Sequence, residues 1–220
     1  ESHVAHVADP AGGSYAVERL TDDLAVVAWR IFGELEDGGD AESLLGAAIA
    51  ETVARRDAEV ARRKRPITGL TEFPNLAEVL PERAGEPDPV RRYGASFEAL
   101  RDEPAGSHVF LATLGTVAQH TARATFATNL LAAGGVGVDV AGATKDPDEL
   151  LAAYDGQPVV CLAGADQTYA AWGSDAAAAL RAAGATHVVI AGKPTDYSDD
   201  SCAMGVDALD FLTRTRGRLA

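Results

Sequence analysis

His108-Val-Phe-Leu-Ala-Thr-Leu-Gly115 decides the fold. The run is apolar almost throughout, closes on a glycine, and leads into a helix-like stretch from about Gln119 to Ala133. A continuous apolar strand, a Gly turn and a helix start together read as a parallel strand buried on both faces and feeding a crossover helix. The pattern repeats downstream. Strands are expected at 108–114, about 136–140, 159–163 and 187–191, alternating with helices at 119–133, 147–153, about 168–183 and 206–216. Gly134, Asp155-Gly156 and Gly184 stand where helices should stop.

Strand–helix alternation with short loops implies an α/β domain: a parallel sheet with helices on both faces. By size and strand count the order is expected to be flavodoxin-like (Rossmann-like), with a short, polar fifth strand between Lys193 and Gly205. This domain should cover residues 107–220. Residues 1–65 read as helical, with Leu20, Leu24, Val27, Ala28, Ile31, Phe32 and Leu35 on one face, Gly38-Gly39 as a stop, and a looser helix over 41–64. Before them, His3-Val-Ala-His-Val7 alternates like a short extended piece. Residues 66–106 read as a linker, because Pro81-Glu-Arg-Ala-Gly-Glu-Pro-Asp-Pro89 is too polar and proline-rich to pack as a core. A short helix is expected over 91–102.

The net charge of −14 argues against a nucleic-acid backbone or an anionic membrane as partner. The densest basic cluster, Arg62-Arg-Lys-Arg65, reads as the charged last turn of a helix. Cys161 and Cys202 fit no zinc or redox spacing and are expected as reduced thiols, one in a strand and one in a loop, in a cytoplasmic protein. No apolar stretch of ~20 residues suits a bilayer. The first residue is Glu1, which is expected of a fragment, a processed product or a trimmed chain.

His120 sits where a strand, a turn and a helix start meet, the place where such sheets take their ligands. It is the candidate metal ligand or proton shuttle, with Asp166 and Tyr169 expected beside it at the sheet's C-terminal edge. Those two are as readily helix-capping residues, and His108 and His187 read as strand-edge residues. Gly134-Gly-Val-Gly137 carries part of a dinucleotide-binding glycine pattern but follows a helix and opens a strand, so it reads as a helix stop.

Several segments resemble one family. Asp9-Pro-Ala-Gly-Gly-Ser-Tyr15 with Val17-Glu-Arg-Leu20, and Arg63-Lys-Arg-Pro-Ile-Thr-Gly69 with Thr71-Glu-Phe-Pro-Asn-Leu76, resemble methylmalonyl-CoA mutase. So do Ala163-Gly-Ala-Asp-Gln-Thr-Tyr169 with Trp172, and Val206-Asp-Ala-Leu-Asp-Phe211. The likeness covers essentially the whole chain and is greatest to the small, non-catalytic subunit of the bacterial heterodimeric enzyme. It implies the end of a (β/α)8 barrel, a linker and a cobalamin-binding-like domain, with the barrel proper missing. It also implies a large catalytic partner that holds adenosylcobalamin and isomerises methylmalonyl-CoA and succinyl-CoA.

In that family three loops grip the cofactor, and the resemblance locates each here. The first carries Asp-x-His-x-x-Gly, and its positions fall on Ala118, His120 and Arg123. The histidine stands without the carboxylate that would orient it. The second carries Ser-x-Leu, matched by Val160, Cys161 and Leu162. The third carries Gly-Gly, matched by Ala191 and Gly192, where a methyl group is added at a close approach. The expectation is a structural subunit with no catalytic residue, no bound cofactor and no metal. The alternatives are a corrinoid-binding module using His120 as lower axial ligand, and a stand-alone flavodoxin-like binding protein.

Overall fold

The computed structural model describes residues 6, 8–37, 40–79, 90–103 and 105–219. The expected extended piece at 3–7 (His6 apart), the Gly38-Gly39 stop and the proline-rich run 81–89 lie outside the described residues. The chain divides into two compact units, one up to Ala54 and one from Arg55 onward.

In the first unit α1 (Tyr15–Glu36) carries the expected apolar stripe. Its Leu20, Leu24, Trp29 and Phe32 are all exposed. The helix α2 (Ala41–Ala61) starts there and continues into the second unit, where Val60 is buried. Past its end the backbone turns through Arg63 at φ 55°. The basic cluster is therefore not simply a solvated helix end. The Arg63 side chain is buried against Glu72 at 2.5 Å and lies over the Phe126 ring. Asn129 bonds both Glu72 and the N–H of Phe73, which sits at φ 53° with its ring exposed. Residues 67–76 are turns pinned to this node, and α3 (Ala95–Asp102) follows with Phe97 in the core.

The sheet contains β1 (Val109–Thr113), β2 (Val138–Val140), β3 (Val159–Ala163), β4 (His187–Ala191) and β5 (Asp200–Cys202). Their order is β2-β1-β3-β4-β5 and every pairing is parallel, the flavodoxin-like order expected. β1 and β3 are buried at every position because both of their faces are covered, and this is why they read as unbroken apolar runs. One face packs on α4 (Val117–Ala133) and α8 (Ala208–Leu219) through Leu130, Leu131, Phe211 and Leu212. The other packs on α5 (Pro147–Ala153) and α7 (Ser174–Ala182) through Leu150, Ala177 and Leu180.

Three expected features differ in the structure. Helix α4 begins two residues early, because Thr116 and Gln119 form a capping box that pairs the Thr116 and Gln119 N–H groups. The single helix expected over about 168–183 is three pieces: a turn α6 (Asp166–Thr168), a π-helical turn over Tyr169–Gly173, and α7. Trp172 leaves helical geometry there, at φ −154° and ψ 15°. Cys202 is not in a loop; it closes β5 and is 1% exposed. The polar β5 is legible only as an edge strand, where one side has no ladder to bury.

Candidate functional site

Two loops meet at the C-terminal edge of β3 and β4, and one tyrosine fills the space between them. The Tyr169 hydroxyl lies 3.0 Å from the Gly164 N–H, which donates to it. It stands 2.9 Å from the carbonyl of Leu162 and 3.0 Å from that of Ala191, both acceptors for its single proton. Burial pushes this phenol well above the ordinary tyrosine range. The ring thereby ties the end of β3 to the end of β4.

Arg123 reaches the same place from α4. Its Nη1 donates to Gly164 O at 2.6 Å and its Nη2 to Asp166 Oδ1 at 2.5 Å. The guanidinium carbon lies 5.0 Å from the Tyr169 ring centroid, a cation–π distance. The Arg123 charge holds the Asp166 carboxyl below the usual carboxylate range. Gly192 adopts φ 155°, and a Cβ there would stand 3.6 Å from Arg123 Cζ and 3.7 Å from Tyr169 Cε2. Four of the positions singled out from sequence, Arg123, Leu162, Ala191 and Gly192, therefore converge on Tyr169.

The other three lie elsewhere. Val160 is fully buried in the middle of β3, paired with Phe110. Ala118 is exposed on the first turn of α4. His120 is 7% exposed, and its Nδ1 is 3.3 Å from the carbonyl of Gly115. The expected grouping of Asp166 and Tyr169 around His120 is replaced by their grouping around Arg123, whose long side chain reaches both. Asp166 caps no helix either; the N-cap of its turn is Ala165. Two residues that carry the resemblance were given no site role: Thr168, whose buried Oγ1 has no partner, and Trp172 on the π turn. Only the mixed Gln167-Thr-Tyr-Ala-Ala-Trp172 stretch hinted at them.

Two cavities flank the π turn, and Trp172 lines both. The first, about 690 Å³, opens over α4's first turn between Ala118, Ala143 and Trp172. The second, about 650 Å³, is polar and bounded by Arg123, Lys193, Asp175 and Tyr197. Among the described residues no three His, Cys, Asp or Glu side chains converge as metal ligands, and no helix is long and apolar enough to cross a membrane.

A parallel five-stranded sheet in this strand order is a flavodoxin-like domain, and here side chains fasten the ends of β3 and β4 together. The family model for methylmalonyl-CoA mutase matches residues 1–138. The methylmalonyl-CoA mutase small subunit of Streptomyces virginiae is 42% identical along the whole of this chain, which covers 39% of that protein. The probable small subunit of Mycobacterium bovis is 44% identical over 90% of the chain and 34% of its own length. The small subunit of Propionibacterium freudenreichii is 32% identical over 98% of the chain and 38% of its own length. The chain belongs to the methylmalonyl-CoA mutase family. It spans between about a third and two fifths of the length of these relatives.

Proposed function

We propose that this chain is part of a non-catalytic small subunit of a heterodimeric mutase, one that isomerises methylmalonyl-CoA and succinyl-CoA with adenosylcobalamin held by the large subunit. Relatives bearing the small-subunit name at 42% and 44% identity support the subunit assignment. The observation that carries the absence of cofactor chemistry here is the Tyr169–Arg123 fastening. The resemblance implies a cofactor tail passing beside the third loop, at Ala191 and Gly192. A ring hydrogen-bonded to both strands, with a guanidinium over its face, stands beside that path. The histidine that would meet cobalt is buried and turned toward Gly115 O, with Ala118 where its orienting carboxylate would stand. The residues present do not fit the cofactor, and no catalytic step is assigned to them.

In this reading the domain contributes assembly surface, and the exposed stripe of α1 packs on the barrel that the resemblance implies. Mixing the chain with hydroxocobalamin and recording the visible spectrum tests the assignment. No change is expected. A histidine-on shift that disappears in His120→Ala would make the domain a corrinoid-binding module instead. Co-purification with a large subunit tests the partnership, and failure of the two to associate would remove the subunit role.

A further inference from the structure

The 690 Å³ cavity lies where the strand order reverses, above the C-terminal ends of β1 and β3, which is where open parallel sheets take ligands. Its walls are mainly apolar, formed by Val117, Ala118, Ala143, Ala171 and Trp172. The π turn that carries Trp172 is a departure from regular helix of a kind often found at functional sites.

Three features define what would bind. The chain has 33 acidic residues against 19 basic ones, yet no acidic residue lines this cavity, and Lys145 does. The Lys145 ammonium is 2.9 Å from Glu149 and so adds no unpaired charge, which leaves the helix start as the source of positive potential. The cavity opens on the first turn of α4, a helix of 17 residues whose start carries partial positive charge; Thr116 takes up the Gln119 N–H, which leaves the Val117 and Ala118 N–H groups without a carbonyl one turn back. An acceptor is already drawn there: the Gln119 Oε1 accepts from the Thr116 N–H at 2.8 Å and from its hydroxyl at 3.0 Å. Finally, Thr168 forms part of the wall, is 5% exposed, and keeps an Oγ1 with no hydrogen-bond partner. A Cβ on Gly115 would stand 2.5 Å from Gln119 Oε1 and 3.3 Å from that hydroxyl, so the amide oxygen and the orphan donor border the same spot.

We propose that this cavity binds a small organic anion, a carboxylate on a flat apolar body. The ring lies against Trp172. The carboxylate takes the place of the Gln119 oxygen, receiving bonds from the Val117 and Ala118 N–H groups, Thr116 and the Thr168 hydroxyl. The site is a property of this chain by itself and does not depend on the subunit reading, so the two fail separately.

Amide NMR of the chain titrated with 2-naphthoate tests it. Saturable shifts are expected in residues 115–119, 143–145 and 167–172, with the neutral 2-naphthamide at least about tenfold weaker. Ala118→Asp places a carboxylate where a helix start favours one, so the fold is retained, and it should weaken naphthoate about tenfold while sparing the amide. Thr168→Val, close in shape, should weaken naphthoate about threefold or more. Equal affinity for naphthoate and naphthamide would refute the anion. Absence of saturation, or shifts centred elsewhere, would refute the site. Full-strength binding in both variants would refute the placement of the carboxylate.

Discussion

Replacing Tyr169 by phenylalanine removes one oxygen and keeps the ring. In the folded protein that oxygen accepts from Gly164 N–H and faces the carbonyls of Leu162 and Ala191, at 3.0, 2.9 and 3.0 Å. A typical hydrogen bond contributes about 1 kcal/mol net, and a buried group left without its partner costs about 1–3 kcal/mol. Gly164 is buried, so its N–H gains no water in exchange. The expected loss is about 2–3 kcal/mol. With a urea slope of about 2 kcal/mol/M, the midpoint falls by about 1 M. Trp172 fluorescence in a Trp29→Phe background reports the transition, since Trp29 is exposed on α1 and Trp172 lies on the same π turn as Tyr169. The pH dependence supplies a second readout. Burial raises the folded phenol's pKa, so ionisation favours the unfolded chain. The contribution is complete below the unfolded value of about 10 and declines as pH rises past it. The gap between Tyr169→Phe and the parent should therefore be full at pH 7 and narrow above about pH 10. A loss under about 0.5 kcal/mol, the size of an ordinary surface change, would refute the fastening of β3 to β4 by this hydroxyl.

Other expectations follow from the same contacts. Arg123→Ala should return the Asp166 carboxyl to the ordinary range, read by carboxyl NMR titration; an unmoved Asp166 would deny the ion pair. Glu72→Gln leaves the Arg63 guanidinium, with a side chain only 9% exposed, without its counter-charge and should cost about 2–4 kcal/mol in urea unfolding. The Asp199 carboxylate is pushed up by partial burial, but the Val188 N–H and Arg181 outweigh this and depress it. A depressed carboxylate stabilises above its unfolded pKa of about 3.9 and loses that effect as pH falls through its folded value. Asp199→Asn should thus be less stable than the parent at pH 7 and approach it in strong acid; a constant gap would count against the linkage.

Strands β1, β3 and β4 were legible because central parallel strands are buried on both faces and must be apolar at nearly every position. Edge strands have no such demand. β2 keeps Asp139 in its middle and β5 opens on Asp200, so the alternation of elements located them better than their own composition did. The π turn left no periodicity signal, because Tyr169-Ala-Ala-Trp172 suits a helix and the break lies in the backbone at Trp172. Arg63 looked like a solvated cation in a basic run. Its burial depends on a carboxylate nine residues away and a ring on α4, neither of which a local pattern contains.

The site divides along the same line. Sequence comparison within the resemblance names positions, but the chemistry at those positions is decided by what reaches them. Ala118, His120 and Val160 each look like a simple loss or survival of a ligand-binding residue. Arg123 is different in kind, because a glycine position that leaves room becomes a side chain that occupies it. The guanidinium needs an acceptor and an anion, and Gly164 O and Asp166 supply them at 2.6 and 2.5 Å. It also needs an apolar surface for its face, and the Tyr169 ring supplies that. Each partner is explained by the others, so the arrangement does not hang on one residue. Returning glycine at 123 would leave the Tyr169 hydroxyl still bonded to both strands, and His120 still turned to Gly115 O. The contacts at this edge are made by the tyrosine and the arginine, not by the histidine.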